Sequence, residues 1–289
     1  MIELMKTIAF NILIFLVVIP LYSCEKKSSP LITTKKDSTI NKTGNSIKKR
    51  FKLPDGFKRI ESQKNSFEDY LQNLPLKPEG TVALNFDGSI KQPKDVYAGV
   101  VDIDVGDKDL QQCADAVIRL RAEYLFAQNK FDEIKFNFTN GFTAEYSKWR
   151  SGYRISVNGN NVSWIKKTGE SNSYEDFRKY LDIVFTYAGT LSLSKELKQI
   201  DFSEINIGDV FIRGGSPGHA VIVVDMAENK NTGEKLFLLA QSYMPAQDIQ
   251  ILKNFMNESI SPWYSSMFEG NLETPQWIFK KSELKRFKY

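Results

Sequence analysis

Two apolar segments, Val210-Phe211-Ile212-Arg213 and His219-Ala220-Val221-Ile222-Val223-Val224-Asp225, are divided only by Gly214-Gly215-Ser216-Pro217-Gly218. β-Branched runs bounded by Gly and Pro read as strands. A loop this short allows only antiparallel pairing, because a parallel connection needs a dozen residues or more. A third such segment follows at 236–243, with Lys230-Asn231-Thr232-Gly233 as the turn. An antiparallel sheet is therefore expected near the C-terminal end. His219, the only histidine of the chain, opens its second strand. Acid–base chemistry near neutral pH by an imidazole has no other residue to use.

Upstream, Leu110, Cys113, Val117, Leu120 and Tyr124 recur at three- and four-residue spacing. This predicts a helix from about residue 110 to 128, capped by Asp107 or Asp109. Helices and an antiparallel sheet in one chain give an α+β class. Cys113 falls near the start of that helix. A helix N-terminus and a nearby imidazolium both favour the thiolate, the reactive form of cysteine. Cys113 as nucleophile and His219 as base thus form a candidate pair, with the bland alternative that Cys113 is a small core residue. A third polar group commonly orients such an imidazole. Gln241, at the end of the third strand, is the candidate. A hairpin centred between Asn231 and Thr232 sets Gln241 opposite Ile222, so a bulge or shifted turn is needed to bring it to His219. The ring-rich segment Tyr146–Tyr153 is expected to line a groove, and Asn158-Gly159 to turn a hairpin.

The chain divides into three. Residues 1–24 read as an export signal, with Lys6 before an apolar run at 8–19 that is short for a membrane span. Residues 25–52 hold nine Lys or Arg against Glu25 and Asp37. They read as a disordered basic tether, too poor in apolar residues to offset chain entropy. Residues 53–289 form a single α+β domain, with an insertion at about 130–205. The net charge of +4 resides in the tether. The remainder is net negative, which argues against nucleic-acid binding.

Other motifs fail on context. Gly214-Gly215-Ser216-Pro217-Gly218 fits G-x-S-x-G, but a serine elbow leads into a helix and this one leads into a strand. It lacks the Gly-Lys-Ser/Thr of a phosphate loop. One histidine and one free cysteine do not make a zinc site. Asp102, Asp104, Asp107 and Asp109 read as solvated or capping groups. No cofactor and no metal are expected.

Leu21-Tyr22-Ser23-Cys24 resembles the bacterial lipoprotein box. The resemblance implies acylation of Cys24, anchorage in the cell envelope and a Cys113 left without a disulfide partner. The order of Cys113 on a helix, His219 opening a strand and Gln241 on the next strand resembles papain-like peptidases of bacterial walls, the NlpC and CHAP types. The spacing from Cys113 to His219 is longer than theirs, and Gln112-Cys113-Ala114-Asp115 departs from their Asp-Cys-Ser. From about Phe67 onward the chain also resembles an uncharacterised bacterial lipoprotein family, domain of unknown function 4846. Together these imply a papain-like, NlpC-like domain extended by an insertion. Its expected activity is that of an envelope thiol hydrolase cleaving an amide, with a cell-wall peptide or glycan as substrate. The alternative is a non-catalytic, lipid-anchored module that binds envelope sugars or peptides.

Overall fold

A computed structural model of the protein describes residues 39–288. The expected signal, the Cys24 lipidation site and the start of the tether lie outside the described residues. Six α-helices are described: α1 (Ile47–Arg50), α2 (Phe67–Gln72), α3 (Cys113–Ala127), α4 (Tyr146–Arg150), α5 (Tyr174–Tyr187) and α6 (Thr190–Glu196). Among these residues no helix is long and apolar enough to cross a membrane.

The main sheet has nine strands: β1 (Lys58–Arg59), β2 (Tyr97–Val100), β3 (Lys198–Gln199), β4 (Val210–Arg213), β5 (His219–Glu228), β6 (Lys235–Gln241), β7 (Gln250–Leu252), β8 (Tyr264–Ser265) and β9 (Leu284–Arg286). Their spatial order is β2-β7-β6-β5-β4-β9-β3, with β1 added to β5 and β8 to β6. Every pairing is antiparallel. The chain is therefore a mixed α/β protein around a large antiparallel sheet. Strands β5 and β6 are buried along nearly their whole length, which explains their continuous apolar runs in place of alternation. Helix α3 lies against them and brings Cys113 to the sheet.

The segment around the first strand pair is fixed by close packing. Gly208 takes a left-handed φ of +90°, and a Cβ there would lie 3.1 Å from the Phe67 ring; both facts require glycine. The neighbouring Asp209 is fully buried. Its carboxylate receives Arg286 through Nε at 2.6 Å and Nη2 at 2.9 Å, and the Asn206 N–H at 2.6 Å. This Gly-Asp pair thus ties β4 to β9 and takes no part in the cleft.

Three expectations change. Residues 40–52 are not a free tether. Ile40 bridges to Phe51, while Ile47 and Phe51 are fully buried in the main core. The local sequence is basic because Lys49 and Lys52 are exposed and Lys48 partly so, while Ile47 and Phe51 turn into the core. The segment Tyr146–Tyr153 sends two of its rings into the core and leaves Tyr153 exposed. Tyr146 and Trp149 are buried, packed against Tyr180, with Tyr146 also against Phe126 and Phe177. Helix 110–128 begins later than expected, at Cys113, with Gln112 as its N-cap. Asp109 is occupied elsewhere: its Oδ1 accepts the Ala246 N–H at 2.7 Å and the Gln112 amide at 3.0 Å.

Candidate active site

Cys113 is the first residue of α3, where the helix presents its unpaired N–H groups. It is a free, half-buried thiol. Asp115, two residues on, accepts the Gln112 N–H through Oδ2 at 3.1 Å and so closes the first turn. Its other oxygen, Oδ1, is buried without a hydrogen-bond partner.

His219 is the first residue of β5 and pairs with Arg213 across the β4–β5 ladder. The close approach of Gly218 sets its position. A Cβ on Gly218 would stand 2.4 Å from Thr190 Oγ1 and 2.5 Å from the Gly215 carbonyl oxygen. Thr190, at the start of α6, also donates to that carbonyl at 3.1 Å. The His219 ring is not at an open edge: it is 1% exposed. It is boxed by Tyr243, Trp277 and Phe279, with ring centroids 4.9, 5.3 and 5.9 Å away. Arg213 holds Trp277 from outside, its guanidinium 5.8 Å from the ring centre and paired to Glu283 at 2.6 Å.

Gln241 meets His219: its Oε1 lies 2.9 Å from Nε2. The register explains how. The β5–β6 ladder runs Leu238↔Asp225 and then Leu239↔Val223, so Val224 is an extra residue at a β-bulge. The ladder continues through Ala240↔Ile222, which sets Gln241 beside Val221. Residues of one strand alternate faces. Without the bulge Gln241 would oppose Ile222 and point away from His219. With it, Gln241 shares the face of Val221 and His219.

Cys113, Asp115, His219, Tyr243, Met244 and Trp277 line one cleft of about 730 Å³, closed on the other side by Gly189–Leu191 and the loop at Gly215–Gly218. The N–H groups of Ala114 and of Ala220, next to His219, favour the Cys113 thiolate. Burial and the Asp115 carboxylate act the other way and raise the thiol to a pKa of about 11. Burial among the rings lowers the His219 imidazole to about 4, with the Gln241 contact opposing that shift. The pair therefore rests as thiol and neutral imidazole at neutral pH. No group of three metal-ligating side chains stands together among the described residues. Another cavity, of about 640 Å³, is lined by Glu196, Arg121, Lys195 and Lys288 and has neither thiol nor imidazole.

Cys113, His219 and Gln241 are thus brought to one place as the sequence suggested. Asp109 lines the same cleft, although it does not cap the helix, and the Tyr146–Tyr153 segment is not part of it. Tyr243, Trp277 and Asp115 were missed. Tyr243 stands two residues past the strand end at Gln241 and inside the expected third segment, within reach of the hairpin argument; Trp277 lies in a C-terminal segment whose path nothing local reveals.

The fold and the site define a mixed α/β protein with a large antiparallel sheet, in which a cysteine at a helix start shares one cleft with a histidine–glutamine pair. The profile of the family described as Domain of unknown function (4846) matches residues 47–286, and the chain belongs to that family. No curated protein and no solved structure matches it.

Proposed function

We propose that the protein is a thiol hydrolase of the cell envelope that cleaves an amide bond, with a papain-like, NlpC-like arrangement and a cell-wall peptide as substrate. The observation that carries this reading is the His219–Gln241 contact in the cleft that holds Cys113. An imidazole oriented through one nitrogen keeps the other for proton transfer. In this reading the Cys113 thiol gives its proton to His219 as the sulfur attacks the carbonyl carbon. The proton then passes to the leaving nitrogen, and an acyl-enzyme thioester remains. Water hydrolyses the thioester, with His219 again as base. Because the pair rests uncharged, proton transfer accompanies attack and does not precede it. Export and acylation at Cys24 place the domain at a membrane facing that substrate.

The resting protonation also favours a second reading, a non-catalytic module that uses the aromatic cleft of Tyr243 and Trp277 to hold an envelope sugar or peptide. One experiment separates the two. The full chain is treated with iodoacetamide and, in parallel, incubated with cell-wall fragments. A hydrolase labels at Cys113, loses about tenfold or more in labelling rate in His219→Ala, in line with general-base catalysis, and loses all cleavage in Cys113→Ser. Labelling unaffected by His219→Ala, with binding but no cleavage, establishes the module.

A further inference from the structure

Lys91 is 1% exposed, and among the described residues its ammonium has no carboxylate partner. Its Nζ donates instead to Gln276 Oε1 at 3.2 Å and to the Gln92 carbonyl at 3.4 Å. An ammonium buried without a counter-charge is costly, so its placement calls for a use. Gln276 Oε1 also receives Gln241 Nε2 at 2.7 Å, and Gln241 Oε1 faces His219 Nε2 at 2.9 Å. Four side chains from separate parts of the chain form one hydrogen-bonded line.

The direction of that line follows from the donor inventory. An ammonium only donates, so the Gln276 atom facing Lys91 must be its carbonyl oxygen. A carbonyl only accepts, so Gln241 must turn its NH2 toward it. The Gln241 carbonyl is then what remains for His219, and Nε2 must carry a hydrogen to reach it. A neutral imidazole has one N–H, so Nδ1 keeps its lone pair. Nδ1 itself makes no hydrogen bond among the described residues.

We infer that Lys91 and Gln276 are positioning residues that, through Gln241, lock His219 in the Nε2–H form and reserve Nδ1 as the base of the cleft. The catalytic meaning of that base rests on the hydrolase reading; the polarity of the line does not. The single histidine makes the test clean. Nitrogen-15 NMR of the full chain with labelled imidazole reads the tautomer directly. Wild type shows Nε2–H alone. Gln276→Glu, whose carboxylate still accepts from both neighbours, keeps it. Gln276→Leu frees the Gln241 amide to turn and gives a mixture. Lys91→Met with Gln276→Lys reverses the line, so that the Gln241 NH2 faces His219 and the Nδ1–H form takes over. In that variant iodoacetamide labelling of Cys113 falls at least tenfold. Pure Nε2–H in both Gln276→Leu and the reversed variant overturns the inference, as does Nδ1–H in wild type. Gln276 is only half-buried, so Gln276→Leu decides alone if the double variant does not fold. Wild-type labelling that His219→Ala leaves unchanged overturns the hydrolase reading instead, while the tautomer series still decides the line.

Discussion

At the scale of the residue, His219 is defined by what surrounds it. Three rings remove water from an imidazole whose only hydrogen-bond partner among the described residues is an amide. A neutral amide supports an imidazolium less than a carboxylate does, which is why burial prevails and the pKa falls to about 4 from 6.5. The same shift makes folding depend on pH. Below pH 6.5 the unfolded chain takes up a proton that the folded chain refuses until about pH 4. Stability from a neutral His219 is therefore complete above pH 6.5 and lost as pH falls toward 4. A shift of this size corresponds to about 3 kcal/mol. Glu196, raised to about 7 by burial, acts with the opposite sign, since its contribution fades as pH rises through 7. Comparison with a variant cancels it. Urea unfolding at pH 7.5 and pH 4 is expected to show wild type losing about 3 kcal/mol more than His219→Gln over that interval. Equal losses in the two proteins contradict a buried neutral imidazole.

At the scale of the element, local causes set many of the boundaries. Ser66 and Ser173 each cap a helix by accepting the N–H three residues on. The hairpin at Asn158–Asn161 closes on Gly159 and Asn160. The strands β4 to β6 lie where their β-branched runs placed them. Helix α3 starts later than its sequence predicts because Asp109, the better intrinsic cap, is held by the Ala246 N–H, over a hundred residues away. Cys113, His219 and Gln241 were legible as types in order; the bulge at Val224 that puts Gln241 on the correct face was not, since it depends on how both strands pack. Lys91 and Gln276 had no signal in sequence at all, being ordinary polar residues until the fold aligns them. Gly218 shows the same dependence on packing. No side chain fits between Thr190 and the Gly215 carbonyl, so Gly218→Ala must push the loop or α6 aside. Overpacking of this kind is expected to cost about 1–3 kcal/mol and to displace His219. A thermal melt measures the first and Cys113 labelling the second; an unchanged melt shows that the loop yields freely.

At the scale of the whole molecule, the folded unit begins earlier than composition suggests. A basic, Ser- and Thr-rich stretch satisfies the usual description of disorder, yet residues 40–52 are bound into the domain by a few specific groups. The buried Arg50 donates to the Gly44 carbonyl at 2.6 Å and the Lys77 carbonyl at 3.1 Å. Arg59 on β1 donates to the carbonyls of Lys48 and Phe51 and pairs with the buried Asp225 at 2.9 Å. The Phe51 ring lies 3.2 Å from where a Cβ on Gly99 would be, so β2 carries glycine to admit it. Average composition hides such a segment because Ile47 and Phe51 are outnumbered by lysines that need only face water. Full burial of two side chains of this size contributes about 3–6 kcal/mol, a large part of the roughly 5–15 kcal/mol that holds a domain together. A chain beginning at residue 53 is therefore expected to unfold at a much lower urea concentration than one beginning at residue 39, with α3 and the Cys113 cleft loosened along with it. Equal urea midpoints for the two chains would show that residues 40–52 lie on the domain without supporting it.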